Sequence, residues 1–260
     1  KVAAMAQNQE KLRQGSQTSL PSDARLGKLD RRQLQIFDET ELDAARYSAH
    51  GFGESASGTF MARLCAAGSC RPMMPPGPAW KANLEWLSHV FPGYEEVVES
   101  GIGPSLRAAT LGALPRPTPL LLTGTTAQEV ATFVRAVAGA LDVAFFQFDV
   151  AEVAGSAYNQ PSTVLTTLAF GTESHAAVAN PIGSAHLGLL GTPSELQSVE
   201  YLAKLLNVDD ARMAQDPAVP DIHFDASFVR WILSCTSIDH VPPAILNQCH
   251  VMRASPRRNS

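Results

Sequence analysis

The amino-acid sequence predicts an α/β domain built on a parallel sheet. Two patterns carry that prediction. Short continuous apolar runs recur at Pro119–Thr123, Ala144–Phe148 and Phe228–Ser234, the pattern of strands buried on both faces. Between them lie longer stretches, such as 126–141 and 194–206, whose apolar residues return every three or four positions. Strands that alternate with helices make parallel sheets, because a parallel partner is reached only through a crossover. With 260 residues, 45 % of them hydrophobic, the chain can form one large domain or one domain with an arm.

The elements follow in order. Residues 1–29 are rich in Gln, Ser and Lys with few apolar anchors and read as an arm. Leu34, Phe37, Leu42 and Ala45 predict a short amphipathic helix within 30–48. The Gly/Ser-rich stretch 50–58 reads as a loop. Arg71–Ala79 carries four prolines and reads as a linker, so the domain boundary falls there, with 1–79 ahead of an α/β core at 80–260. Leu84, Leu87, Val90 and Phe91 form one helical face. Pro92-Gly93 interrupts it, a helix resumes at 94–100, and Gly101–Pro104 breaks it again.

Beyond the first strand, 126–141 turns Val130, Phe133, Val134, Val137 and Leu141 to one side. Ala144–Phe148 is a strand that ends at Asp149. A helix at 162–170 and a strand at Leu187–Leu190 follow. Ser194 caps a helix whose buried stripe is Leu196, Val199, Leu202, Leu205 and Leu206. The pattern closes with the strand Phe228–Ser234 and a Pro-led turn into a short helix at Val241–Leu246.

The charges exclude several functions. The formal net charge is −5, and 15 charged residues crowd into positions 1–46. Positions 117–193 hold only six, of which Arg135 alone is basic, and no lysine occurs between Lys81 and Lys204. A nucleic-acid groove needs clustered Lys and Arg, so no nucleic acid is expected. No apolar run reaches the ~18–20 residues of a membrane helix, and the polar start from Lys1 shows no apolar leader segment. Four cysteines are too few for a disulfide scaffold, so a cytoplasmic protein is expected. Cys65 and Cys70 lack a second ligand pair, and no metal site is assigned.

A strand, then Gly124, then a helix is the order of a phosphate-binding loop. Here the chain resembles an AAA+ ATPase module over residues 80–253, and is similar to a Lon-like bacterial AAA+ family. LSHVFPGYEEVV at 87–98 resembles the helix ahead of the core. LLLTG at 120–124 resembles the strand entering the nucleotide loop, FVRAVAGAL at 133–141 the helix after it, and FQFDVA at 146–151 the second strand. DASFVRWI at 225–232 and IDHVPPAILNQC at 238–249 resemble the sensor strand and the turn that carries the arginine finger. The resemblance implies a P-loop-type sheet with helices on both faces and a nucleotide site between subunits.

The chemistry-bearing positions depart from that family. Where it reads G-P-P-G-x-G-K-T, this chain reads Gly124, Thr125, Thr126, Ala127, Gln128, Glu129, Val130 and Ala131. The inner glycines that let backbone N–H groups wrap a phosphate are gone. Val130 replaces the lysine, Ala131 replaces the hydroxyl that holds magnesium, and Glu129 adds a charge that repels a triphosphate. Pro181–Gly191, where a magnesium-binding acidic pair is due, contains no carboxylate. The sensor position falls on Thr236 and the arginine-finger position on Gln248, which is uncharged. The sequence also ends at Ser260, before the helical lid that the resemblance implies.

The sequence therefore points to a catalytically inactive AAA+-like module that works through a protein partner or neighbouring subunits, with no cofactor. The alternative is a divergent ATPase that binds ATP and magnesium through an atypical or partner-completed site, with Arg135 or Arg116 as the cation. Gly53-Glu54-Ser55-Ala56-Ser57 echoes a nucleophile elbow but lacks the buried strand before it, and reads as a loop. His175, His186, His223, His240 and His250 are scattered and read as surface or core-edge side chains. The resemblance implies a loop-ordering role for Asp149, and Arg253, Arg257 and Arg258 read as a solvated basic tail.

Overall fold

A computed structural model describes residues 32–48, 56–114, 116–150, 161–188 and 193–255. The chain order is β1 (Gln33–Gln35), α1 (Glu39–Ser48), α2 (Ala56–Ala67), β2 (Cys70–Pro72), α3 (Trp80–Val90), a π-helical turn (Val97–Ile102) and α4 (Gly103–Thr110). Then come β3 (Leu120–Thr123), α5 (Ala127–Leu141), β4 (Phe145–Asp149), α6 (Thr163–Phe170), β5 (Ile182–Leu187), α7 (Pro193–Leu206) and α8 (Val208–Ala211). The hairpin β6 (Ala214–Asp216) and β7 (Val219–Phe224) leads to β8 (Arg230–Cys235), α9 (Pro243–Leu246) and β9 (His250–Arg253).

Five strands form the central sheet in the order β4-β5-β8-β3-β9, and every pair is parallel. Strand side chains alternate between faces. Leu121, Phe146, Phe148, Ala185, Trp231 and Leu233 enter a core shared with α1, α2, α6 and α7. Leu120, Leu122, Ile182, Ile232 and Met252 enter a second core under α3, the π-turn, α4 and α5. Burial on both faces is why β3 and β8 are almost continuously apolar. The fold is α/β with a parallel sheet between two helical layers, as the sequence predicts.

Several local expectations change. Among the described residues 32–48, only Glu39–Ser48 is helical. Leu34 lies in β1, and Phe37 bridges to Phe224. Asp38 marks the switch, because its carboxylate accepts from the Thr40 N–H at 2.8 Å at the helix entrance. The Thr40 hydroxyl donates to the same oxygen at 2.7 Å, and it, with the N–H contact, holds the Asp38 carboxyl below its ordinary range. Of the stretch read as a loop at 50–58, residues 50–55 lie outside the described residues and 56–58 begin α2, whose buried Phe60, Met61 and Leu64 lie at helical spacing.

The proline-rich stretch begins inside β2, which pairs antiparallel with β1. The compact unit starts at Arg32, and Ile36, Phe37, Leu42, Phe60 and Leu64 share the core of the main sheet. A boundary at 71–79 does not fit that packing. Gly101–Pro104 breaks nothing either, since the π-turn passes directly into α4. A Cβ at Gly101 would stand 2.9 Å from the Leu120 side chain and 3.0 Å from Met252 Sδ, so those side chains would have to shift to admit one.

The strand expected at Leu187–Leu190 is Ile182–Leu187. Its Gly183 and Ser184 hide it from an apolar-run search, yet Gly183 is what the sheet requires. A Cβ there would lie 2.6 Å from the Trp231 ring and 2.7 Å from Phe146, which meet edge to face.

Candidate functional site

In a parallel sheet the carboxyl ends of the strands all open on one edge, where ligands of such sheets bind. Here that edge carries Gly124 after β3, Asp149 in β4, His186 in β5, Ser234 in β8 and Arg253 in β9. Asp149 ends its strand in register with His186, and its side chain lies outside the described residues.

The Gly124 loop is tightly built. Gly124 has φ +79°, and a Cβ would fall 2.8 Å from the Ala254 carbonyl oxygen. Thr126 then caps α5 in an extended conformation. Its Oγ1 accepts from the Glu129 N–H at 3.2 Å, while Glu129 Oε2 accepts from the Thr126 N–H at 2.9 Å. The same carboxylate oxygen accepts from Thr126 Oγ1 at 2.9 Å and Thr125 Oγ1 at 3.0 Å. This is a complete capping box. The positive pole of α5, where a phosphate would sit, faces a carboxylate from its own first turn.

Aromatic packing fixes the loop from behind. Tyr94 stacks on Phe133 with 4.4 Å between ring centres, and Phe91 meets both rings edge to face. The Tyr94 hydroxyl lies 2.8 Å from Thr125 Oγ1. Burial pushes the Tyr94 phenol up, the Thr125 contact opposes the shift, and the Glu129 charge adds to it. Ser255 N–H donates to the Gly93 carbonyl at 3.1 Å, so the chain after β9 closes one side.

Beside the loop, β8 brings a second group. Leu122 of β3 pairs with Ser234, which pairs with His186 of β5. His186 Nδ1 lies 2.9 Å from Ser234 Oγ, and its Nε2 lies 3.3 Å from Thr236 Oγ1. Burial pushes the His186 imidazole down, so it is neutral at pH 7 and offers one donor and one acceptor to the two hydroxyls. The sensor position Thr236 is thus brought to the same edge as the loop. His186 is half-buried at the core edge and is the centre of an uncharged polar cluster.

Other expected residues lie elsewhere. Gln248 precedes β9 and so stands at the amino edge of the sheet, where its Oε1 accepts from Asn207 Nδ2 at 3.4 Å. Arg135 lies over the Phe145 ring at 5.7 Å and Arg116 over Phe228 at 5.1 Å. Both rings are at the amino ends of their strands, so neither arginine serves the Gly124 loop. His223 is tied to Glu41 of α1 at 3.0 Å. Cys65 and Cys70 are free thiols. Positions 53–55 of the elbow-like motif lie outside the described residues, as do Arg257 and Arg258.

The cation that does reach the loop is Arg253. It pairs with Thr123 at the end of β9, and its Cγ and Nε lie 3.4 and 3.6 Å from where a Gly124 Cβ would be. Sequence reasoning missed it by placing it in a tail. Only the strand pairing of 250–253 reveals its position, and a four-residue strand leaves almost no periodic signal.

The chain matches no protein-family model and no curated protein. Among the described residues, no helix is long and apolar enough to cross a membrane.

Proposed function

We propose that this chain is a catalytically inactive AAA+-like module that acts through protein contacts and does not hydrolyse ATP. The observation that carries the reading is the Glu129 capping box. A phosphate-binding loop leaves its helix N–H groups and positive pole open for an anion. In this chain Glu129 supplies that anion, and a triphosphate would have to displace it against like-charge repulsion. The residues present therefore do not fit a magnesium nucleotide. Val130 is buried in the core under α5 and offers no charge. The neutral His186–Ser234–Thr236 cluster supplies no carboxylate for magnesium.

Strand order supports the relationship to a nucleotide-binding scaffold. A sensor side chain can act on a phosphate at the β3 loop only if its strand lies beside β3. β8 is that neighbour, with Leu120 paired to Ile232 and Leu122 to Ser234. Gln248, at the opposite edge, faces away from its own loop, as a finger position that serves a neighbouring subunit must.

Arg253 favours a second reading, a divergent nucleotide-binding site, because it places a cation against Gly124. Calorimetry of the full chain with ATP and ADP, with and without magnesium, separates the two. The first reading expects no heat of binding at millimolar ligand and no ATP turnover above a protein-free blank. Micromolar binding that Arg253→Ala abolishes would establish the second reading and overturn the first.

A further inference from the structure

We propose that the turn after α4, residues 111–114, with the two arginines beside it, is a docking surface for an acidic amphipathic segment of a partner protein. Leu111 is 83 % exposed, more than any other large apolar side chain among the described residues, and Leu114 is 44 % exposed. The turn that presents them is hydrogen-bonded. Leu111 N–H donates to the Arg107 and Ala108 carbonyls, Gly112 N–H to Ala109, and Ala113 N–H to Ala108. Gly112, at φ +84°, makes the reversal. Leu111 is thus held outward by a built turn.

Two arginines flank that turn. Arg107 stands one helical turn before Leu111 on α4. Arg32 reaches in from the start of the compact unit, with its Nη2 3.4 Å from where a Gly112 Cβ would lie. Neither has a carboxylate within ion-pair distance among the described residues. No Asp or Glu occurs between Glu99 and Glu129, so the segment carries no acidic counterweight of its own.

An apolar centre with an arginine rim is the anatomy of a protein interface. Arginine pairs with carboxylates through two parallel hydrogen bonds, which favours Glu or Asp on the partner. The absence of lysine and of stacking aromatics in 105–118 argues against nucleic acid. The surface leads into the amino end of β3, whereas the Gly124 loop leaves the carboxyl end. The inference rests on the reading of this chain as an interaction module, but not on the state of the nucleotide loop.

The test uses the full chain and a fluorescein-labelled 16-residue peptide with Leu at helical spacing and Glu beside it, followed by fluorescence anisotropy. Saturable binding is expected. Leu111→Ser and Arg107→Glu should each weaken it by about tenfold or more, the size of an interface hot spot. Both side chains are exposed, so their thermal melts should match the parent's. Equal binding of a peptide with Ser in place of Leu, equal binding by both variants, or no saturation at millimolar peptide would overturn the proposal. Concentration-dependent dimerisation of the parent that Leu111→Ser abolishes would also overturn it, in favour of a second copy. ATP calorimetry on the same preparation keeps the outcomes apart, because nucleotide binding would sink the reading of the Gly124 loop without moving the peptide result.

Discussion

At the amino end of α5 and at the carboxyl ends of α2 and α6, helix poles meet charges of opposite sign, but the two regions do so differently. Glu129 is exposed and only three residues from its partner Thr126, so its charge is screened by water. Arg71 is 4 % exposed and joins elements far apart in the chain. Its Nε and Nη2 donate to the Ala169 carbonyl of α6 at 3.0 and 2.8 Å. Its Nη1 donates to Gly68 at 2.9 Å, Cys70 at 2.7 Å and Ala67, the last residue of α2, at 3.3 Å. One cation therefore caps two helices, and no carboxylate takes part in its recorded contacts. Burial lowers the Arg71 pKa, yet arginine keeps its proton because its ordinary value is so high. The first region adjusts one helix end and leaves the fold alone. The second ties α2 and α6 to β2 and holds that layer together.

The largest effect should come from breaking the buried region. Arg71→Met leaves several buried carbonyl groups without donors and should cost about 3 kcal/mol or more, read from urea unfolding. Arg71→Lys should recover only part of this, since an ammonium cannot fork between two helix ends. A loss below about 1 kcal/mol would show that the two regions do not differ as described.

Thr126→Ala removes the cap of α5 and should cost about 1 kcal/mol in the same measurement. Glu129→Gln should cost less, about 0.3–1 kcal/mol, and the loss should shrink in high salt. It sharpens the comparison in another way. If the carboxylate stands in for a bound anion, phosphate should raise the melting temperature of Glu129→Gln and leave the parent unchanged. A parent stabilised equally by phosphate would contradict that role.

The smallest effect concerns pH. The folded His186 pKa lies below the ~6.5 of an unfolded chain. As pH falls through that value the unfolded state takes up the proton first, so stability is full above it. Stability then declines until the folded pKa is passed. His186→Gln should flatten this decline in urea midpoints between about pH 4.5 and 7.5, and an unchanged slope would remove His186 from the account.

The legible parts of the molecule are those whose signal is local. β3 shows as an uninterrupted apolar run because both of its faces are buried, and α5 shows because its apolar stripe repeats along one segment. The T-x-x-E signature at 126–129 was equally present, but a phosphate-loop reading of the same residues obscured it as a cap. β5 was displaced because Gly183 answers to Trp231 and Phe146, two side chains distant in sequence. α2 was missed because its Gly/Ser-rich lead looks like a loop. Arg71, Arg253 and the His186–Ser234–Thr236 cluster carry no local pattern at all.

The sequence by itself determined an α/β chain with buried parallel strands, the helix that follows Gly124, and the absence of a lysine from 124–131 and of a carboxylate from 181–191. Periodicity and residue type suffice for these, since each concerns a segment's own faces or a side chain's own chemistry. Tertiary structure alone decided that residues from Arg32 onward join the main core, that β9 sets Arg253 against Gly124, and that Gln248 stands at the far edge of the sheet. Those facts depend on which strands become neighbours. In a parallel sheet that order is fixed by packing between segments far apart in the chain.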